Sequence, residues 1–158
     1  MKKLLACLVF LAGLMFLVPS HIAEASNWVW VTSTDYATVT VDSSSVHRYQ
    51  GTIYYWDRWE FIDSPQRNAF IEYLTQARRN VGDDQTDFSD FWMMQCRLHA
   101  YQAQSGTIYS KDIGITYYDS GGNVIYSFTV PESMVEWGLV APDTIGEAIF
   151  KVARSYAR

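Results

Sequence analysis

Period-two runs rich in β-branched and aromatic residues most constrain what this chain can fold into. In "TIYYWDRWEF" (52–61), Tyr54, Trp56, Arg58 and Glu60 fall on one face of an extended strand, and Tyr55, Asp57, Trp59 and Phe61 fall on the other. Similar alternation marks "NWVWVTST" (27–34), "YATVTVD" (36–42), "FWMMQCRLHAYQ" (91–102), "TIYSKDIGITYYD" (107–119) and "NVIYSFTV" (123–130). "SSSVHRYQG" (43–51) reads as a short strand leading into a turn at Gly51, and Ser120-Gly121-Gly122 is a hairpin signal. In the strand over 91–102, Met94, Cys96, Leu98 and Ala100 make the apolar face, while Gln95, Arg97, His99 and Tyr101 point away.

Two segments break this period. In "SPQRNAFIEYLTQARRN" (64–80), Ser64 can cap, Pro65 suits the first helical position, and Phe70, Tyr73, Leu74 and Ala77 share a face. Near the end, Thr144 and Glu147 fit a capping box, and Ile145, Ala148, Ile149, Val152, Ala153 and Tyr156 form one apolar stripe. A helix with one apolar stripe must lay it on something, and the available partner is the apolar face of the sheet. The expected class is therefore α+β: an antiparallel sheet of about six strands, a C-terminal helix packed across one face, and a second short helix inserted.

The start of the chain reads as a targeting segment. Lys2 and Lys3 precede an apolar run from Leu4 to Val18, and Ala23-Glu24-Ala25 has the small-x-small pattern of a signal-peptidase site. Residues 1–25 are expected to be removed, without lipid attachment because Cys7 lies inside the apolar run. No later stretch is long and apolar enough for a transmembrane segment. The remaining 133 residues, 26–158, are one domain by length and carry 10 basic against 16 acidic side chains. That balance argues against nucleic acid, which needs clustered positive charge. The expected location is exported: periplasmic, cell surface or secreted.

Motif chemistry is sparse. His47 and His99 lie on separate segments without metal-ligand spacing, so no metal and no cofactor is expected. The loop "VGDDQTDFSD" (81–90) gathers Asp83, Asp84, Asp87 and Asp90 but lacks the glycine and glutamate that a calcium loop places at its sixth and twelfth positions. Asp57 and Glu60 sit on opposite strand faces, which does not suit a paired acid and base. No GxSxG, P-loop, HExxH or GxGxxG occurs, so no catalytic residues are assigned and the chain is read as a non-enzyme. The aromatic strand offers Tyr54, Trp56, Arg58 and Trp59 as a binding surface, against the alternative that its rings are core and cross-strand packing. Cys96 is open to three readings: a buried thiol acting as a small hydrophobe, an intermolecular disulfide, or a nucleophile.

The order of these segments resembles the surface-adhesin protein E family of small exported bacterial proteins. The likeness runs from about Trp28 to Val152, carried mainly by "VDSSSV" and "APDTIGEAI", with "WVWV", "YYWDRWEF" and "YYDSGGNVIYSF" in support. The resemblance implies an antiparallel sheet with a C-terminal helix across one face, and a disulfide from the sheet to that helix. Here Cys96 is present, but the helix has no cysteine; its missing partner falls at Ala153, or within one residue of it. The resemblance also implies a host extracellular-matrix partner. The alternative is a housekeeping protein binding cell-wall glycan, peptide or another cell-envelope component, as monomer or dimer.

Overall fold

The computed structural model describes residues 26–158; the expected signal peptide, 1–25, lies outside the described residues. The sheet is antiparallel throughout. Its strands are β1 (Trp28–Ser33), β2 (Ala37–Asp42), β3 (His47–Tyr49), β4 (Thr52–Phe61), β5 (Phe91–Gln102), β6 (Ile108–Asp119), β7 (Val124–Thr129) and β8 (Gly138–Val140). The spatial order is β1-β2-β4-β5-β6-β7, with β3 lying alongside β4 and β8 alongside β6. The expected α+β class is thus what the chain forms, with β4 and β5 bounded where the alternation begins and ends. β8 and a 3-10 turn at Glu132–Met134 are additions, too short to leave a periodic signal.

Helix α1 (Pro65–Asn80) begins where the sequence places it: the Ser64 side chain accepts a bond from the Arg67 amide, and Pro65 occupies the first turn. At 16 residues it is longer than the C-terminal helix rather than a short insertion. Helix α2 (Ile145–Tyr156) carries the capping box, with Thr144 Oγ1 accepting from the Glu147 amide and Glu147 Oε2 accepting from the Asp143 amide.

Both helices lie on the same face of the sheet. α2 packs Ile149, Phe150 and Ala153 onto Val31, Val39, Val41, Ile53, Tyr55, Cys96, Leu98 and Ala100. α1 packs Leu74 and Phe70 onto a second cluster of Ala37, Phe61, Phe88, Phe91 and Tyr117. Trp59, Met94 and Ile115 touch both clusters and join them. Two details differ from the sequence reading. Phe150, assigned to no stripe, is fully buried, whereas Tyr156 is exposed, because α2 is buried along an arc that ends one turn before its C-terminus. Tyr73, placed on the packing face of α1, is also exposed, because α1 covers the end of the sheet and Tyr73 stands beside the outermost strand.

Candidate functional site: the open face of the sheet

Among the described residues, both helices lie on one side and the other face of the sheet carries no layer. In an antiparallel ladder, directly opposed residues share a face. The register Trp30↔Thr40↔Arg58↔Gln95↔Thr116 therefore runs across the open face, as does Trp56↔Arg97↔Gly114 one step along. Trp30 is 63% exposed, and its indole N–H donates to Ser33 Oγ at 3.1 Å. The Arg58 guanidinium lies 4.5 Å over the Trp28 ring and 3.3 Å from Glu60 Oε1, so its cation is held flat on the sheet. Arg97 is exposed, beside Trp56, and makes no ion pair among the described residues. The result is a platform of Trp28, Trp30 and Trp56 with two arginines among them.

Three of the four residues read from sequence as a binding surface are on this face: Tyr54, Trp56 and Arg58. Trp59 is not. It lies on the helix side between the two core clusters, as the alternation of β4 requires, and is a packing residue.

Tyr54 belongs to a second row at one end of the same face. His47, Tyr54, His99 and Lys111 stand opposite one another across β3, β4, β5 and β6. The His47 and Tyr54 rings stack at 4.8 Å, and Tyr54 meets His99 edge-on at 4.2 Å. The connection from β7 to β8 folds over the end of this row. Glu132 Oε1 accepts from Lys111 Nζ at 2.9 Å and lies 3.2 Å from His99 Nδ1; Trp137 covers the Lys111 ammonium at 4.5 Å. His99 does point away from the apolar face of β5, as the alternation has it, but it is not solvated. It is 2% exposed, because this connection roofs it. Its Nδ1 lacks the alignment for a hydrogen bond to Glu132, and Nε2 has no partner among the described residues. Burial lowers the His99 pKa, while the bond from Lys111, and then the proximity of the His99 ring, lowers that of Glu132. The arrangement ties down a strap. Sequence reasoning missed Lys111 and Glu132, since nothing local marks two residues 21 positions apart as partners. His47 remains outside, with Nδ1 3.1 Å from the Ser45 carbonyl.

Three of the four aspartates of the 81–90 loop are tied into the fold. Asp83 pairs with Arg78 and accepts from the Thr86 hydroxyl, Asp87 accepts from the Ser89 amide, and Asp90 accepts from Ser120. Among the described residues, no three metal-ligating side chains converge.

Beneath α2, Cys96 is buried and free, and Ala153 is fully buried in the same cluster. Burial, with Asp57 opposite it in the ladder, pushes the thiol pKa well above its usual range, which keeps the sulfhydryl protonated. Asp57 is itself 2% exposed, and its Oδ1 has no hydrogen-bond partner among the described residues. Desolvation raises its pKa to about 7, although Trp59 and Cys96 hold it down in part.

Fold and surface together define a two-layer α+β domain with one helix-covered face and one open aromatic face. Compared with protein-family models, curated proteins and solved structures, the chain matches none.

Proposed function

We propose that this chain is an exported, non-enzymatic binding protein that engages an extracellular-matrix or envelope macromolecule through the open face of its sheet. The observation that carries the reading is the platform of Trp28, Trp30 and Trp56 with Arg58 and Arg97 on a face that no helix among the described residues covers. Such surfaces suit recognition, because tryptophan, tyrosine and arginine are enriched among the residues that carry most of the binding energy at interfaces. The similarity in "VDSSSV" and "APDTIGEAI" to the surface-adhesin protein E family favours a host matrix protein. The acidic balance of the chain disfavours nucleic acid. Export rests on the Lys2-Lys3, Leu4–Val18 and Ala23-Glu24-Ala25 pattern. The test is a solid-phase screen of residues 26–158 against matrix glycoproteins and envelope fractions, with esterase, glycosidase and peptidase assays alongside. Saturable binding to one component without turnover is expected. A hydrolytic rate abolished by changing a single polar residue would overturn the reading.

A further inference from the structure

A second surface lies at the edge of the sheet beside α1, apart from the open face. β7 pairs with β6 on one side and, among the described residues, with no strand on the other. The Val130 amide donates to the Ile113 carbonyl at 2.8 Å. Alternation along the ladder then turns the backbone groups of Tyr126 and Phe128 toward β6 and those of Ser127 and Thr129 outward. Both of the latter residues are exposed, and neither backbone amide has an acceptor among the described residues. The strand, VIYSFT, has no charge or proline to protect this edge.

Just inside the edge runs a groove of about 370 Å³ between α1 and β6–β7. Tyr73, Leu74, Ala77 and Val81 form one wall, and Tyr126 and Phe128 form the other. Tyr73 is 66% exposed and Val81 70%, a large apolar surface to leave in water. The Arg78 guanidinium lies 4.0 Å over the Tyr126 ring and donates to its hydroxyl at 2.8 Å, with Asp83 as counter-ion. It is therefore a fixed wall and not a free cation. Val81 and Phe88 extend the lining into the loop that carries Asp83, Asp84, Asp87 and Asp90. Against Arg78 and Arg79, that loop leaves an acidic excess, and Asp84 and Asp87 are exposed without a cation partner among the described residues.

We propose that this edge and groove take an extended segment of another protein, adding it as a strand to β7. An extended chain satisfies alternate outward amides and carbonyls at a strand spacing of about 4.8 Å. Every second side chain of that segment then lies on the helix side, where the groove takes an apolar one. Charge complementarity with the 81–90 loop selects a basic residue at the flank. This site is independent of the open face, and either can fail without the other.

The probe is a fluorescein-labelled panel of peptides of about ten residues, alternating valine or phenylalanine with threonine and ended by lysine or by glutamate. It is read by fluorescence anisotropy against residues 26–158. Lysine-ended peptides are expected to bind more tightly, and to protect the Ser127 and Thr129 amides from hydrogen exchange. Thr129→Pro, which removes an outward amide but no bond to β6, should weaken binding about tenfold. Tyr73→Ser on the far wall should weaken it with the edge intact. No binding across the panel, equal binding by both charge types, or insensitivity to both variants would overturn the proposal. So would a dimer in sedimentation that Thr129→Pro dissolves, because the edge would then belong to a second copy of the chain.

Discussion

Asp57 gives the sharpest thermodynamic consequence of this fold. Its carboxyl is buried on the helix side of β4, facing Cys96, with one oxygen unpartnered. Desolvation raises its pKa from the model-compound value of 3.8 to about 7. For an acid whose folded pKa exceeds its unfolded value, the folded state holds the proton more tightly. The group costs nothing while both states are protonated, below about pH 4. The cost then grows as pH rises toward 7 and is constant above it. The slope is at most about 1.4 kcal/mol per pH unit, so the whole window amounts to about 4 kcal/mol. Asp57→Asn removes the titration and keeps the shape. Urea unfolding of both proteins at pH 4, 5.5, 7 and 8 is the assay, and the difference between them cancels every other titrating group. The variant should gain about 4 kcal/mol on the parent between pH 4 and pH 8, whatever its offset at pH 4. Two parallel stability curves would refute the reasoning, because they would mean that Asp57 ionises as easily folded as unfolded.

Other consequences are simpler. Ala153→Cys should form a disulfide with Cys96 in the oxidised protein, seen as loss of free thiol and a raised Tm; the loop closed spans 57 positions, for about 4 kcal/mol less any strain. Lys151→Cys, on the exposed side of α2, should not bridge. Phe150→Ala should cost about 3–5 kcal/mol in urea unfolding, more than any other single truncation in α2, since Phe150 is the largest side chain that this helix buries. Glu132→Gln should cost about 1–2 kcal/mol, less than breaking a fully buried pair because Glu132 is half-exposed, and should free the 130–137 strap to proteolysis.

Strand and helix positions were legible because each depends on local signals: alternation in β4 and β5, Ser64 and Pro65 at one helix start, and Thr144 with Glu147 at the other. The alternation of β4 also puts Trp59 on the opposite face from Tyr54, Trp56 and Arg58, although the sequence reading grouped all four as one binding surface. What was not legible arises from contacts between distant segments. His99 carries the pattern of an outward residue and is buried only because Glu132 and Trp137 return over β5 and β6. Tyr73 sits on the apolar stripe of α1 but lines an open groove beside β7. Arg97 and Trp30 show no motif at all; only the strand order brings them onto one face.

The central claim is that the open face is the binding surface, and one comparison tests it directly. The affinity of residues 26–158 for the component found by the solid-phase screen is measured beside that of the double variant Trp30→Ala with Arg97→Ala, and beside Lys151→Ala on the helix side. Both altered residues of the double variant are exposed, so its Tm should stay within a few degrees of the parent. The account predicts at least tenfold weaker binding for the double variant and none lost for Lys151→Ala. Unchanged affinity in the double variant, with the fold intact, would contradict it.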